Sequence, residues 1–246
     1  MTKKYELVLD DTISFWGWKL FRVRALISFG SVEVGDLGGY IQKEENLSHD
    51  DNAWVSGNAK VRGNAEVSGN AWVSGNAWVS GNAKVRGNAE VSGNAWVSGN
   101  AKVWGNAKVW GNAKVWGNAK VWGNAKVWGD AEVWGDAEVR GNAEVSGNAW
   151  VSGNAWVSGN AKVWGDAEVR GDAEVSELGD IIVFKNHWSS GRHFTYTKSN
   201  KMWKVGCFYG TGQELIEKAY RDSEKSGNYY KAYVDFVETL ERLSKE

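Results

Sequence analysis

The stretch that decides the fold begins with NAWVSG at residues 52–57, continues in steps of six, and ends with DAEVSE at residues 172–177. It consists of 21 consecutive six-residue units with no insertion. The first position of each unit is Asn or Asp, the second is Ala, the fourth is Val, and the sixth is Gly until Glu177. Only the third and fifth positions vary, so the repeat combines a constant frame with two variable positions.

The alternation within each unit predicts a short strand. Ala at position two and Val at position four point to one face of an extended segment, whereas positions three and five point to the other. The Gly-Asn or Gly-Asp pair between units predicts a corner, because both residue types adopt positive φ at little cost. A helix is excluded, since a six-residue period does not match its turn of about 3.6 residues, and each glycine would destabilise it by roughly 1 kcal/mol.

Stacking of these strands buries all the Ala and Val side chains of the repeat in one column. Three units close a three-sided coil of 18 residues, so the repeat provides seven coils. Each residue then lies beside the residue 18 positions later, at an interstrand spacing of about 4.8 Å. The sequence therefore predicts a mainly β fold, a triangular parallel β-helix on which positions three and five form axial columns.

This hexapeptide resembles the repeat of left-handed parallel β-helices, in which an aliphatic residue fills each face and a small residue stands two positions earlier. The resemblance covers residues 52–177 and implies a left-handed coil, although parallel crossovers in most other folds are right-handed. The segment GDLGGYI at 35–41, followed by an acidic linker and NAWV, resembles the start of uncharacterised bacterial and prophage hexapeptide-repeat proteins. The C-terminal segment resembles the tails of the same proteins, and the resemblance implies no activity.

The segments on either side of the repeat are predicted to be caps, because an uncapped β-helix exposes a strand edge at each end. Residues 1–51 form an N-terminal β cap with strands at 5–9 and 20–27, and the stretch 32–41 leads into the coils of residues 52–177.

Residues 178–246 form a C-terminal α+β cap with three short strands, at 181–184, 193–197 and 202–209. The capping-box pattern TGQE that begins at residue 211 predicts a helix from residue 212. Apolar spacing predicts a second helix from about residue 228 to residue 243. Its buried residues are Tyr230, Val234, Val237 and Leu240.

Composition excludes several classes of protein. Lys and Arg number 29 and Asp and Glu number 30, so overall charge does not steer the chain toward nucleic acid or an acidic membrane. The single cysteine, Cys207, excludes an intrachain disulfide and a multi-cysteine zinc site. The N-terminus has too short an apolar run for a signal peptide, and no apolar stretch is long enough for a membrane helix. We expect a soluble, cytoplasmic protein that binds no membrane.

The histidines bear on whether the coils carry catalysis. Many left-handed β-helix proteins are acyltransferases with a histidine base, and others hold zinc with three histidines. Here His49, His187 and His193 all lie outside the coils, and no unit is interrupted by a loop that could cover a cofactor. Aspartates at position one alternate with asparagines along the columns, which does not make a calcium cage. We expect no enzyme, no cofactor and no metal; the competing hypothesis is a hexapeptide-type acyltransferase.

The variable positions place 13 tryptophans on the outer faces, and exposed aromatic patches often mark interaction surfaces. Residues 100–129 read NAKVWG five times and predict a basic, aromatic belt around the coils. The belt consists of Lys102, Trp104, Lys108, Trp110, Lys114, Trp116, Lys120, Trp122, Lys126 and Trp128. It predicts a non-catalytic scaffold that binds an acidic protein or a second copy of itself, with carbohydrate as an alternative ligand.

The belt is also compatible with the absence of any ligand. Stacked tryptophans shield strands by themselves, and tandem duplication or consensus design would copy them with the repeat. The columns predict five Trp pairs: 54 with 72, 78 with 96, 104 with 122, 110 with 128, and 116 with 134. They also predict the ion pairs Glu66–Lys84, Lys114–Glu132, Lys120–Glu138 and Glu144–Lys162, and a like-charge column of Lys84, Lys102 and Lys120.

A second candidate surface lies in the C-terminal segment, where residues 181–204 contain five basic residues and no acidic one. Basic and aromatic side chains on one sheet are typical of nucleic-acid binding. The candidate residues are Lys185, Trp188, Arg192, Tyr196, Lys198, Lys201, Trp203 and Lys204. Alternatively, the aromatic side chains pack against the C-terminal helices and the basic ones are solvated; we favour this interpretation and do not expect a nucleic-acid partner.

Overall fold

The computed structural model describes residues 3–15 and 17–244. The chain divides into two compact units, residues 1–178 and residues 179–246. The first contains all the parallel strands of the repeat, and the second contains an antiparallel sheet and two helices. Among the described residues, no helix is both long enough and apolar enough to cross a membrane.

Every unit of the repeat forms one strand of two residues, the residue at position three and the Val that follows it. Face 1 contains Trp54–Val55, Trp72–Val73, Glu90–Val91, Lys108–Val109, Lys126–Val127, Glu144–Val145 and Lys162–Val163. Face 2 contains Lys60–Val61, Trp78–Val79, Trp96–Val97, Lys114–Val115, Glu132–Val133, Trp150–Val151 and Glu168–Val169. Face 3 contains Glu66–Val67, Lys84–Val85, Lys102–Val103, Lys120–Val121, Glu138–Val139, Trp156–Val157 and Glu174–Val175.

The strands of each face pair in parallel with an offset of 18 residues, which confirms the predicted coil length. Val73, for example, is paired with Val55 on one side and Val91 on the other. All the Ala and Val side chains of the repeat are buried, none more than 1 % exposed. The predicted β-solenoid with three faces is therefore confirmed, whereas its left-handed sense stays a prediction.

The corners explain why position six is Gly and position one is Asn or Asp. Gly105 has a φ of +72°, and a Cβ on it would lie 3.1 Å from the backbone N and O of Gly123 in the next coil. Asn88 donates from Nδ2 to Oδ1 of Asn106 at 3.0 Å, and similar bonds form axial ladders at all three corners. An Asp side chain accepts such a bond but has no N–H to donate, so a ladder cannot continue through Asp136.

The N-terminal segment adds one turn before the repeat. Strands β1 (Tyr5–Phe15), β2 (Trp18–Ala25) and β3 (Leu37–Ile41) extend the sheet of face 2. Strand β3 pairs in parallel with the first strand of that face, with Ile41 opposite Val61, and Leu47 bridges to Val67 after a 3-10 turn at Glu44–Asn46. The solenoid thus has about eight turns, seven from the repeat and one before it.

Side chains of the N-terminal segment cover the start of the solenoid. Lys4 is only 1 % exposed, and its Nζ donates to the carbonyl oxygen of Ala53 at 2.9 Å. Burial lowers the pKa of Lys4 to about 8. The ring of Tyr5 stacks on His49 at 4.2 Å, and the Trp54 ring contacts those of Tyr5 and Phe29. These contacts bury the side chains at the start of the solenoid.

The second unit begins with an antiparallel sheet, which follows a 3-10 turn at Leu178–Asp180. Its strands are β4 (Ile181–Lys185), β5 (His193–Thr197), β6 (Met202–Val205) and β7 (Phe208–Thr211). The predicted strand at 202–209 is divided into β6 and β7, because the chain turns at Gly206 with a φ of +53°.

Two helices follow the sheet, α1 (Gly212–Asp222) and α2 (Glu224–Leu243). The capping box between Thr211 and Glu214 is formed, as the sequence predicts. Helix α2 starts earlier than expected because the Ser223 hydroxyl accepts the backbone N–H of Ser226. Its buried face contains Tyr230, Val234 and Val237, with Leu240 at the half-buried margin. Capping of the last coil by this unit stays a prediction.

Candidate binding groove on face 3 of the solenoid

The belt residues are distributed over all three faces, because consecutive units lie on different faces. The two units on face 1 and the two on face 3 each bring a pair of tryptophans and a pair of lysines together. Face 1 has Lys108, Trp110, Lys126 and Trp128; face 2 has Lys114 and Trp116; face 3 has Lys102, Trp104, Lys120 and Trp122. The belt is therefore three separate surfaces, each with its own neighbours.

Four of the five belt lysines are neutralised by a glutamate of the same column. The pairs are Lys108–Glu90 at 2.9 Å, Lys114–Glu132 at 2.9 Å, Lys120–Glu138 at 2.7 Å and Lys126–Glu144 at 3.3 Å. Lys102 is exposed and has no carboxylate partner among the residues that the structure describes. The reason is its column, in which Lys84 and Lys120 are its two neighbours, as predicted. Lys102 is thus the one uncompensated ammonium group of the described belt.

The predicted column contacts are confirmed in most cases. The ion pairs Glu66–Lys84 and Glu144–Lys162 form at 3.0 and 3.5 Å, in addition to the predicted pairs of Lys114 and Lys120. Trp78 and Trp96 lie 6.2 Å apart and tilted. Trp54 lies opposite Trp72 in register, but its ring packs on the N-terminal segment and is only 2 % exposed.

The belt tryptophans stack face to face along the axis. Trp104 and Trp122 have ring centroids 5.5 Å apart and an interplanar angle of 2°. The pairs Trp110–Trp128 and Trp116–Trp134 are equivalent, at 5.0 and 5.1 Å. In each pair, one face of each indole ring is covered by the other ring.

Face 3 contains a groove of about 620 Å³ that includes four belt residues. Its lining combines side chains of the position-three column, side chains of the position-five column and two corner glycines. The groove is lined by Lys84, Arg86, Gly87, Lys102, Trp104, Gly105, Lys120, Trp122 and Glu138. It crosses four coils, which correspond to about 14 Å along the axis. An extended polypeptide of about four residues fits this length.

The groove has an excess of positive charge. Glu66 binds the Nζ of Lys84 at 3.0 Å and a guanidinium nitrogen of Arg86 at 2.5 Å. The hydrogen bond from Lys84 is the main reason that the pKa of the Glu66 carboxyl lies below its usual range. With Glu138 bound to Lys120 and Glu66 shared by Lys84 and Arg86, four cations face two carboxylates, an excess of two positive charges, and Lys102 is the cation among the four that has no carboxylate partner among the described residues.

The second candidate surface is placed differently. Trp203 and Tyr196 are 2 % and 4 % exposed and pack in the core of the second unit with residues of both helices. Trp188 stacks on Tyr229 at 4.6 Å. Lys204 is buried, whereas Lys185, Arg192, Lys198 and Lys201 are exposed. The aromatic side chains therefore pack against the helices, as our favoured interpretation predicted, but its expectation that the basic side chains are solvated is wrong for Lys204.

Two of the three histidines, His49 and His187, contact aromatic side chains. His49 belongs to the first unit, where its ring stacks on that of Tyr5. His187 belongs to the second unit and contacts the Tyr233 hydroxyl at 3.3 Å, while His193 lies in β5. Within residues 3–15 and 17–244, no group of three His, Cys, Asp or Glu side chains is arranged to hold a metal ion.

No family model matches the chain, and no curated protein matches it. Sequence reasoning identified Lys102, Trp104, Lys120 and Trp122 but did not single out Arg86 or Glu138 as parts of one site. Because every third hexapeptide along the chain lies on the same face, the repeat pattern itself places Arg86 and Glu138 on face 3 with these four belt residues.

Proposed function

We propose that this protein is a non-catalytic binding module whose solenoid presents the face 3 groove to an acidic polypeptide. The observation that carries the proposal is the uncompensated ammonium group of Lys102, which lies beside the stacked Trp104 and Trp122. A carboxylate of the partner supplies the charge that the column lacks. Burial of the indole edges by an apolar partner side chain adds affinity.

A finer assignment belongs to the same proposal. We infer a left-handed coil of the hexapeptide-repeat type, a bacterial or prophage origin and a cytoplasmic location. The hexapeptide pattern and the GDLGGYI segment at 35–41 support the first two. The location is inferred from the composition.

Charge favours a polypeptide over a nucleic acid. A nucleic-acid strand brings one phosphate per nucleotide and needs several uncompensated cations to replace its counterions. Here Glu66 and Glu138 already neutralise neighbouring cations, and both would repel a phosphate backbone that runs along the axis. A polypeptide with a few separated carboxylates meets less repulsion. A second copy of this chain is the other protein-class occupant, and its binding is an outcome of the experiment.

The lining of the groove favours binding over catalysis. It is made of Lys, Arg, Trp, Glu and Gly residues and includes no His, Cys or Ser. Catalysis of the serine- or cysteine-nucleophile type needs such a residue beside a base. The competing acyltransferase hypothesis predicts acetyl-CoA turnover in a cleft that contains His49, His187 or His193, and detection of that turnover would replace our proposal.

The experiment compares two Trp pairs with the same geometry on different faces. One variant carries Trp104→Ser and Trp122→Ser, and the control carries Trp110→Ser and Trp128→Ser; Ser already occupies this position in other units. Binding of a fluorescent peptide of about ten residues, rich in Glu and Tyr, is measured by anisotropy. Circular dichroism checks that both variants are folded, and sedimentation checks self-association.

We expect the face 3 variant to bind the peptide about tenfold more weakly, a loss of roughly 1.4 kcal/mol, while the face 1 variant binds like the unmodified protein. Equal losses in both variants, or no binding by the unmodified protein, would contradict the proposal. Loss of self-association in the face 3 variant alone, without peptide binding by any variant, would assign the groove to a second copy of the chain instead.

A further inference from the structure

Arg140 continues the aromatic column of the groove. Its guanidinium carbon lies 5.8 Å from the ring centroid of Trp122 and 4.7 Å from that of Trp156. Trp122 in turn stacks on Trp104. Face 3 therefore carries a continuous stack of Trp104, Trp122, Arg140 and Trp156, in which a cation is held between two indole rings.

The guanidinium group of Arg140 has no carboxylate partner among the described residues. Glu138 stands two positions earlier in the same hexapeptide, but its carboxylate is bound by Lys120 at 2.7 Å. An arginine between two rings keeps its N–H groups directed outward in the plane of the guanidinium, and its side chain loses little further freedom when it binds. Such a fork is suited to a carboxylate, which accepts two parallel hydrogen bonds.

We propose that Arg140 is the second anchor of the face 3 groove and that the partner supplies two carboxylates, one for Lys102 and one for Arg140. This proposal rests on the proposed function, because it assumes that an acidic polypeptide occupies the groove. It adds that Arg140 selects among acidic polypeptides, and that the partner's two carboxylates must have a particular spacing.

The positions of the two anchors determine that spacing. Lys102 belongs to the column of position three and Arg140 to the column of position five, and their hexapeptides are two coils apart. The axial separation is therefore about 10 Å. In an extended peptide, residues i and i+3 are also about 10 Å apart and point to opposite sides. The partner thus carries two acidic residues with two residues between them, and this spacing does not depend on the direction of the chain.

Face 2 provides a natural control for Arg140. Arg170 lies between Trp134 and Trp150, with its guanidinium carbon 5.8 and 5.6 Å from the two ring centroids. Its guanidinium is bound by Glu168 at 3.0 Å. The two arginines share the aromatic environment and differ in the carboxylate, so substitution of Arg170 changes the net charge without touching the groove.

The experiment uses three peptides of equal length, each with two Glu residues in an uncharged host. The Glu residues are adjacent, separated by two residues, or separated by a longer stretch. Anisotropy titrations are carried out with the full chain and with Arg140→Gln, Arg140→Lys and Arg170→Gln. An oligothymidylate of similar length tests the nucleic-acid alternative, and circular dichroism confirms that every variant is folded.

We expect the unmodified protein to prefer the two-residue separation about tenfold, or roughly 1.4 kcal/mol. Arg140→Gln should abolish the preference and Arg140→Lys should retain only part of it, because an ammonium group keeps the charge without the fork. Arg170→Gln should leave it unchanged. The proposal is overturned by equal binding of all peptides, by a preference that survives Arg140→Gln, by an equal effect of Arg170→Gln, or by tighter binding of the oligothymidylate.

Failure of the two proposals can be told apart. If no peptide binds the unmodified protein, the proposed function fails and the second anchor fails with it. If all three peptides bind equally, and binding still depends on Trp104 and Trp122, the groove binds acidic polypeptides but Arg140 is not an anchor.

Discussion

Two hexapeptides of the solenoid have the same sequence, DAEVRG, at residues 136–141 and 166–171. Their Glu and Arg side chains nevertheless have different partners. In the hexapeptide 136–141, Glu138 is bound by Lys120, which lies 18 residues earlier, and Arg140 has no carboxylate partner among the described residues. In the second, the residue 18 positions before Glu168 is Trp150, and Glu168 binds Arg170 of its own unit.

The comparison shows how identical hexapeptides acquire different contacts in this repeat. The role of a variable residue is decided by the residue one coil away and not by its sequence neighbours, which are identical in the two units. A binding surface can therefore arise by changing one side chain in a column while the local hexapeptide stays the same.

The largest loss of stability is expected when the inward-facing Val of one of these hexapeptides is replaced by a charged residue. Val139 is fully buried, so Val139→Asp places a carboxylate in the apolar column and should destabilise the solenoid by more than about 3 kcal/mol. Arg140→Gln, the outward neighbour, should leave the melting temperature almost unchanged. Thermal melts and amide hydrogen exchange measure both, and a Val139→Asp protein with normal stability would show that the core is not a continuous column.

The corners next to the two units should differ in their tolerance of a methyl group. Gly141 and Gly165 have nearly the same φ, +67° and +66°. A Cβ on Gly141 would lie 3.1 Å from the carbonyl oxygen of Gly159, whereas a Cβ on Gly165 would have no atom within 4 Å. Gly165→Ala should cost about 1–2 kcal/mol for the left-handed backbone alone. Gly141→Ala should cost about 1–3 kcal/mol more, because the coils must separate. Equal denaturant midpoints for the two variants would refute this.

The matched glutamates should differ in their effect on binding. Glu138→Gln removes a carboxylate from the groove and frees Lys120, so the acidic peptide should bind about three- to tenfold more tightly, or roughly 0.7–1.4 kcal/mol. Glu168→Gln changes the net charge equally but lies on face 2 and should leave the affinity unchanged. Anisotropy titrations compare the two, and equal gains would indicate that only overall charge matters.

The smallest effect is expected at the first position of the two units. Asp136→Asn supplies an N–H that can donate to Asn154 and complete the corner ladder, which should stabilise the protein by about 0.5–1 kcal/mol. Asp166→Asn gains no such bond, because the repeat ends before the residue 18 positions later. Chemical denaturation measures both variants. A stabilisation by Asp166→Asn equal to that by Asp136→Asn would contradict the ladder.

The regular part of the fold could be predicted because the period fixes the offset. Once three units close a coil, Lys84, Lys102 and Lys120 must share a column, and Glu138 must lie next to Lys120, as the structure confirms. Each pairing follows from residue number alone.

What could not be predicted depends on contacts outside this lattice. Arg140 meets Trp156 diagonally, between position five of one coil and position three of the next, and side-chain conformation decides that contact. In the N-terminal turn, Ile41 pairs with Val61 at an offset of 20, because residues 37–51 do not follow the six-residue period. The hexapeptide contains no signal for either feature.

The most direct measurement of the central claim follows the two arginines in one titration. The side-chain Nε–Hε signals of Arg140 and Arg170 are assigned in ¹H–¹⁵N spectra with the Arg140→Gln and Arg170→Gln variants. The peptide with two Glu residues separated by two residues is then added. We predict that the Arg140 signal shifts with the same midpoint as peptide binding and that the Arg170 signal stays in place. A stationary Arg140 signal at saturating peptide, or equal shifts of both arginines, would contradict the account.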